Sequence, residues 1–358
     1  MNHDISSTLD STSVRRIDSK ERWKRLEDCA ATVYSTWEWG TVCEQFGHER
    51  YYLGAEQGGD LVAGIPMMYN GSRLFDTELV SMPYAPYGEL LVSDDADRPD
   101  ALKKRLLNEA KWLSDRLGAD QTSIRGIGSE VIVPDFEPKS NFVTFELDLS
   151  GGEDEAWDTV ASRFRRSVRK ARKNDVTVER GFDPATFSQY YDMYLDNMQY
   201  YGTPPYSRQF FRNVNRLLGR SDSFEMYTAY NEDGKPINGV TAFFFGERAI
   251  YWTGVTDYDY RELNGGSLLL WEAIVDGCER GYPVFDLGRT REDTGVYDYK
   301  KGIGDPVELT DHFYAPRGDV GPPDPEAEKY DKYKSAWQKL PQKATEYIGP
   351  RIRSRLSM

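Results

Sequence analysis

The chain has 358 residues, 39% hydrophobic and 29% charged, with 59 acidic side chains against 45 basic ones and a formal charge of −14. Such a composition folds rather than staying disordered, and its long-range field repels polyanions, so any contact with nucleic acid or anionic lipid has to be local. No run approaches the roughly 18 apolar residues of a membrane span, the first residues lack the basic-then-apolar order of a signal peptide, and Cys29, Cys43 and Cys278 form no CxxC pair.

These features predict a cytoplasmic protein with reduced thiols. Acidity of this kind suits a salt-loving organism as well as an ordinary mesophile. With histidines only at His3, His48 and His312, and with no HExxH, GxSxG or Walker lysine loop, the sequence offers no metalloprotease, serine hydrolase or P-loop site and predicts no metal centre. The length favours two domains.

In chain order, Ser19 is placed to cap a helix through Trp23, Leu26 and Cys29, and a second helix follows through Trp39, Val42 and Phe46. Strand-like runs come next: RYYLGAEQ, then LVAGIPMMY after the Gly58-Gly59 turn, then FDTELVSMPYAPYGELLV. A helix from about Arg98 to Leu117 ends at Gly118, and the strand QTSIRGI follows. The strand NFVTFELDL leads to one helix of about Asp154 to Lys173, the strand VTVER, and helices around Tyr190 to Tyr201 and Ser207 to Leu218. Three strands then meander, FEMYTAYNE, PINGVTAFFF and AIYWTGV, turning at Asp233-Gly234 and Gly246. A helix from Ser267 to Arg280 closes at Gly281 before the strand PVFDLG. After a strand from Val307 to Tyr314, the run GPPDPE breaks regular structure and a basic helical tail follows, expected to pack back on the first lobe.

Six stretches, in order, carry a resemblance: TWEWG at 36–40, FRRSVRKARK at 164–173, YGTPPYSRQFF at 201–211, YWTGVTD at 251–257, LLLWEAIVDGCERGY at 268–282 and FDLGRTREDTGVYDYKKGIG at 285–304. In these the chain resembles the Fem family, peptidyltransferases of the GNAT superfamily that move an amino acid from aminoacyl-tRNA to an amine of a cell-wall precursor. It looks especially like the Fem-like branch of unknown substrate. The resemblance implies an α/β fold of two tandem GNAT-like domains. The first spans 18–149, completed by 305–320; the second, 150–304, carries the active site; 321–358 is a helical basic tail. The chain departs from the family in two places. Asn264 stands where the CoA-binding turn of GNAT enzymes has its first glycine, within Arg261-Glu262-Leu263-Asn264-Gly265-Gly266, and Cys43-Glu44 replaces a lysine common in the bridge-forming enzymes.

Four groups of residues can carry chemistry. In DLGRTREDTGVYDYKK, Lys300 with Tyr299 matches the aromatic-Lys pair to whose lysine the family assigns oxyanion stabilisation. Arg289 is suited to clamp a phosphate or carboxylate, and Asp286 to orient Arg289 or to take the amine's proton. The plain alternative is an Asp-Arg pair that only fixes the loop. In RFRRSVRKARK, seven of eleven residues are basic; at about 100° per residue Trp157, Val160, Phe164, Val168 and Ala171 share one face, and Arg165, Arg166, Arg169, Lys170, Arg172 and Lys173 lie on the opposite half, a rail for donor phosphates or a solvated face. The loop at Pro204-Pro205 presents Tyr206 and Arg208 to an acceptor, or is a plain linker. Tyr251 and Trp252 are expected in the core rather than against a ligand. The tail, with eight basic residues against two acidic ones after position 328, can also rest on an anionic membrane.

The sequence thus predicts an acyl- or aminoacyltransferase forming an amide on a small-molecule, lipid-linked or nucleotide-linked acceptor of the cell envelope. The donor is aminoacyl-tRNA or acyl-CoA. Two rivals stand beside it: an acyl-CoA-dependent N-acyltransferase of envelope polysaccharide, and a non-catalytic binding protein on the same fold, which a filled cleft beside Lys300 would favour.

Overall fold

The computed structural model describes residues 12–71, 76–128, 134–292, 294–316, 318 and 328–356. These fall into two compact units: the described residues of Met1–Asn141, Leu309–Pro322 and Arg355–Met358, and those of Phe142–Glu308 and Pro323–Ser354.

The first unit opens with β1 (Ser13–Arg16), α1 (Lys20–Glu27) and α2 (Trp37–Gln45). The Ser19 and Thr36 hydroxyls cap the two helices by accepting from Arg22 N and Trp39 N. Short strands follow: β2 (Glu49–Arg50), β3 (Leu53–Gln57), β4 (Asp60–Ile65), β5 (Met68–Asn70), β6 (Glu78–Val80) and β7 (Leu91–Val92). The run LVAGIPMMY therefore breaks in two at Pro66, which has no amide hydrogen to give a ladder. The expected long strand ending at Val92 is also interrupted. Between β6 and β7 the chain is irregular and buried, with Met82 and Tyr84 at φ 145° and 63°. Arg125 holds it, donating from Nη1 to the carbonyls of Met82 and Ala85. Then come α3 (Pro99–Leu117), closed by Gly118 in the left-handed region, and β8 (Gln121–Ile124).

The second unit contains the C-terminal part of β9 (Glu137–Asp148), followed by α4 (Gly152–Thr159), α5 (Ser162–Lys173), β10 (Thr177–Arg180), α6 (Pro184–Tyr200) and α7 (Arg208–Leu218). The meander is β11 (Phe224–Tyr230), β12 (Pro236–Phe245) and β13 (Arg248–Thr256); then α8 (Gly265–Glu279), β14 (Val284–Asp286), α9 (Gly295–Lys300) and β15 (Asp305–Tyr314), whose last part belongs to the first unit. Its sheet runs β10-β11-β12-β13-β14-β9, antiparallel except for β13 against β14. On one face α5 and α8 bury Phe164, Val168, Leu269, Trp271 and Ile274. On the other, α6 and α7 bury Tyr190, Tyr194, Phe210 and Phe211.

Two expectations change here. The helix of 154–173 is two helices, because Val160 and Ala161 are extended and Ala161 N donates to Gly302 O at 2.8 Å. Trp157 and Val160 therefore do not share the α5 face. The tail forms α10 (Glu328–Gln338) and α11 (Gln342–Arg353), and both lie on α6 within the second unit, where Gln199 Nε2 donates to the carbonyls of Gln338 and Leu340. The run GPPDPE lies outside the described residues. Among the described residues no helix is long and apolar enough to cross a membrane.

Candidate active site

β13 and β14 are paired only from Arg248↔Val284 to Ile250↔Asp286. Beyond that point β13 runs on to Thr256, while the segment after β14 turns at Gly288 (φ +74°) and stays with β9, Leu287 N donating to Phe145 O and Thr290 exchanging bonds with Val143. A side chain at Gly288 would have its Cβ 3.0 Å from Tyr251 O, so the turn needs glycine for its space as well as its φ. The two parallel strands thus part, and a cavity of about 440 Å³ opens between them.

One end of the cavity is the start of α8. Asn264, in the left-handed region at φ 60°, turns the chain so that Gly265 and Gly266 open the helix, with Arg261 beside them. A Cβ on Gly265 would meet Asn238 Oδ1 at 2.5 Å, which explains glycine there. Amides at a helix N-terminus carry partial positive charge and favour anions. Asn238 and Asn197 complete this end; Asn197 pairs with Thr256 through both its amide nitrogen and its oxygen, at 2.7 and 3.0 Å.

Lys300, on α9, lines the same cavity. Its ammonium donates to Gly288 O at 2.7 Å and to Arg289 O at 3.3 Å, leaving one of its three hydrogens. Burial lowers its pKa to about 8, against the opposing pull of Asp286. Tyr299 beside it lines the cavity, its hydroxyl 3.2 Å from Ser267 Oγ. The charged groups among the described lining residues are Arg261 and Lys300 alone, both cationic on a protein of charge −14.

Of the residues singled out from the sequence, Lys300 and Tyr299 meet in this cavity with Arg261, Asn264, Gly265 and Gly266 of the glycine turn and with Tyr251, whereas Asp286, Arg289, Tyr206, Arg208 and the basic residues of α5 do not line it. Asp286 is fully buried behind Lys300; its Oδ1 accepts from Gly288 N at 2.7 Å and Thr144 Oγ1 at 2.5 Å, and Oδ2 is 3.6 Å from Arg248 Nη1. The Arg289 guanidinium lies over the Phe142 ring at 4.3 Å. Tyr206 is buried, stacked on Phe210 at 4.4 Å, and its hydroxyl accepts from Arg353 Nη2 at 2.9 Å. Arg208 ties α11 to α6, donating to Glu346 at 3.0 Å and Asp192 at 2.6 Å. On α5, Arg165 turns back to Asp158, Arg169 covers Trp157, Arg166 reaches Ser162, and Lys170 is exposed.

Sequence reasoning missed Asn197, Asn238 and Tyr251 as lining residues. The glycine pair opening α8, noted in the sequence as a departure from the CoA-binding turn, does line the cavity with Asn264 and Arg261. Trp252 is half-buried against Phe243, and Tyr251, packed against the core as expected, also lines the cavity.

Residues 159–301 match the family described as Acetyltransferase (GNAT) domain, a range that holds α5, the meander, α8 and Lys300. No curated protein matches the sequence. Among solved structures, the chain is similar to FemX at 14% identity, covering 85% of this chain and 97% of that one with a TM-score of 0.66. It is similar to L-PGS from Bacillus licheniformis at 10% identity, over 85% and 94%, TM-score 0.54. A tandem GNAT protein from the clavulanic acid biosynthesis pathway shares 12% identity over 87% and 100%, TM-score 0.50. The chain thus shares the fold of FemX and of a tandem GNAT protein, and its residues 159–301 match the acetyltransferase (GNAT) domain family.

Proposed function

We propose that this protein transfers an acyl or aminoacyl group to an amine in the cavity between β13 and the 287–290 segment. The observation that carries the reading is that one cavity joins the glycine-opened N-terminus of α8 to the buried ammonium of Lys300. The open cavity beside Lys300 favours a catalytic role over a binding-only one. The amides of Gly265 and Gly266, with Arg261, would hold donor phosphate. A neutral amine attacks the acyl carbonyl, the C–N bond forms, and the remaining hydrogen of Lys300 stabilises the oxyanion. The intermediate then collapses, the bond to the leaving oxygen or sulfur breaks, and the proton lost by the amine balances the one the leaving group takes up. Removing one oxyanion donor costs about 10²–10³-fold in turnover. Tyr299 lines the path, and Asp286 sets the height of the Lys300 pKa rather than meeting substrate.

The donor divides into two classes. The compact turn at Asn264-Gly265-Gly266 supports an acyl-CoA. The exposed Arg166, Lys170 and Lys173 of α5 support a longer polyanion, as in aminoacyl-tRNA. For the acceptor we propose an amine of a lipid- or nucleotide-linked cell-envelope precursor, on the motif resemblance to Fem proteins and the likeness in fold. On α11, Lys343, Tyr347 and Arg351 form an exposed stripe at helical spacing, which supports contact with the inner face of an anionic membrane. The experiment is a donor screen: calorimetry with CoA thioesters and gel shift with charged tRNA, each repeated with Lys300→Ala in a turnover assay. Full turnover by that variant would overturn the reading.

A further inference from the structure

β13 carries one residue more than its partner. Its register with β12 passes from Ala242↔Tyr251 to Thr241↔Thr253, leaving Trp252 as the extra residue of a bulge. Two consecutive side chains therefore point toward α6 and α7. Trp252 packs against Phe243 at 4.9 Å and Phe211 at 5.5 Å, and Thr253 Oγ1 lies 2.5 Å from the Tyr190 hydroxyl. The bulge also shifts the alternation on the opposite side, so that Tyr251 and Gly254 both face the cavity. The phenol lies along the strand above Gly254, where a Cβ would stand 2.1 Å from its Oη.

The phenols near it have partners of their own: Tyr190 with Thr253, Tyr201 with Tyr258, and Tyr299 with Ser267. Among the described residues none hydrogen-bonds the hydroxyl of Tyr251, which is aimed into the same cavity as Lys300. A ligand that displaces water from this space has to supply that hydroxyl with a partner or leave it unsatisfied at a cost in affinity. A plain alkyl group supplies none.

We infer that Tyr251 determines acyl specificity: its hydroxyl recognises a hydroxyl or amino substituent on the group being transferred, so substituted acyl groups are preferred to alkyl groups of the same skeleton. The inference rests on the reading of the cavity as the acyl-transfer site. Leaving a buried hydroxyl unpaired translates into a preference on the order of tenfold to a hundredfold.

The test uses one carbon skeleton with and without the substituent, on the full chain and on Tyr251→Phe, which keeps the ring. The probes are propionyl-CoA against 2-hydroxypropionyl-CoA, and propionyl-tRNA against alanyl-tRNA, with dissociation constants measured for each. The expected result is tighter binding of the substituted member in at least one pair by wild type, and loss of that difference in Tyr251→Phe. Equal binding within each pair that binds, or a preference that survives Tyr251→Phe, overturns the inference while leaving the cavity as an acyl site. If wild type binds none of the four, the reading of the cavity itself fails and the inference falls with it.

Discussion

The ammonium of Lys300 donates a 2.7 Å hydrogen bond to the carbonyl oxygen of Gly288, tying α9 to the turn after β14 beside the cavity. Burial puts the pKa at about 8, so the ammonium charge of Lys300 is present below that pH and lost as pH rises through it, while Arg261 stays charged. Turnover should fall above pH 8, with one descending limb in a plot of log kcat against pH. Lys300→Arg, whose guanidinium stays charged, should lack that limb. A wild-type profile that is flat from pH 7 to about 9.5 would contradict this assignment.

The same shift has a consequence for stability. The folded-state pKa of Lys300 lies below the ordinary lysine value of 10.5, so the unfolded chain binds more protons between the two. Lys300's contribution to stability should therefore rise as pH climbs from about 8 toward 10.5. Urea unfolding of wild type and Lys300→Met across that range checks the sign: the variant should lack the rise.

Asp286→Asn removes the carboxylate that raises the Lys300 pKa. The descending limb should move to lower pH, and stability should fall by about 1–3 kcal/mol as the hydrogen bonds from Gly288 and Thr144 weaken. kcat at pH 6.5 should stay within about tenfold of wild type. A collapse of kcat at every pH would instead make Asp286 the base that takes the amine's proton, since general-base loss costs about 10²–10⁴-fold.

Arg208→Ala should act on the tail and not on substrate. Its bonds to Glu346 and Asp192 hold α11 against α6, but the side chain is 29% exposed, so the loss should be about 1 kcal/mol. Faster tryptic cleavage at Lys339 or Lys343 with an unchanged KM is the expected pattern. A raised KM at unchanged stability would return Arg208 to the acceptor site.

Much of this fold is legible in the sequence because its signals are local. The α8 helix shows in its apolar spacing and in Gly281, and the meander in Asp233-Gly234 and Gly246. Lys300 was legible through its motif. What escaped depends on partners far along the chain. Arg208 and Tyr206 looked like ligand contacts because Glu346 and Arg353 lie 138 and 147 residues away. The break between α4 and α5 carries no Gly or Pro; a bond from Ala161 to Gly302 marks it. The bulge at Trp252 leaves Tyr251-Trp252-Thr253 looking like any alternating strand, so the turning of Tyr251 into the cavity could not be read from its spacing.

Single-turnover amide formation by wild type and Lys300→Ala, at saturating concentrations of whichever donor binds, tests the central claim most directly. The Lys300→Ala rate should be lower by about 10²–10³-fold with donor affinity retained. A Lys300→Ala rate equal to wild type would place the chemistry elsewhere.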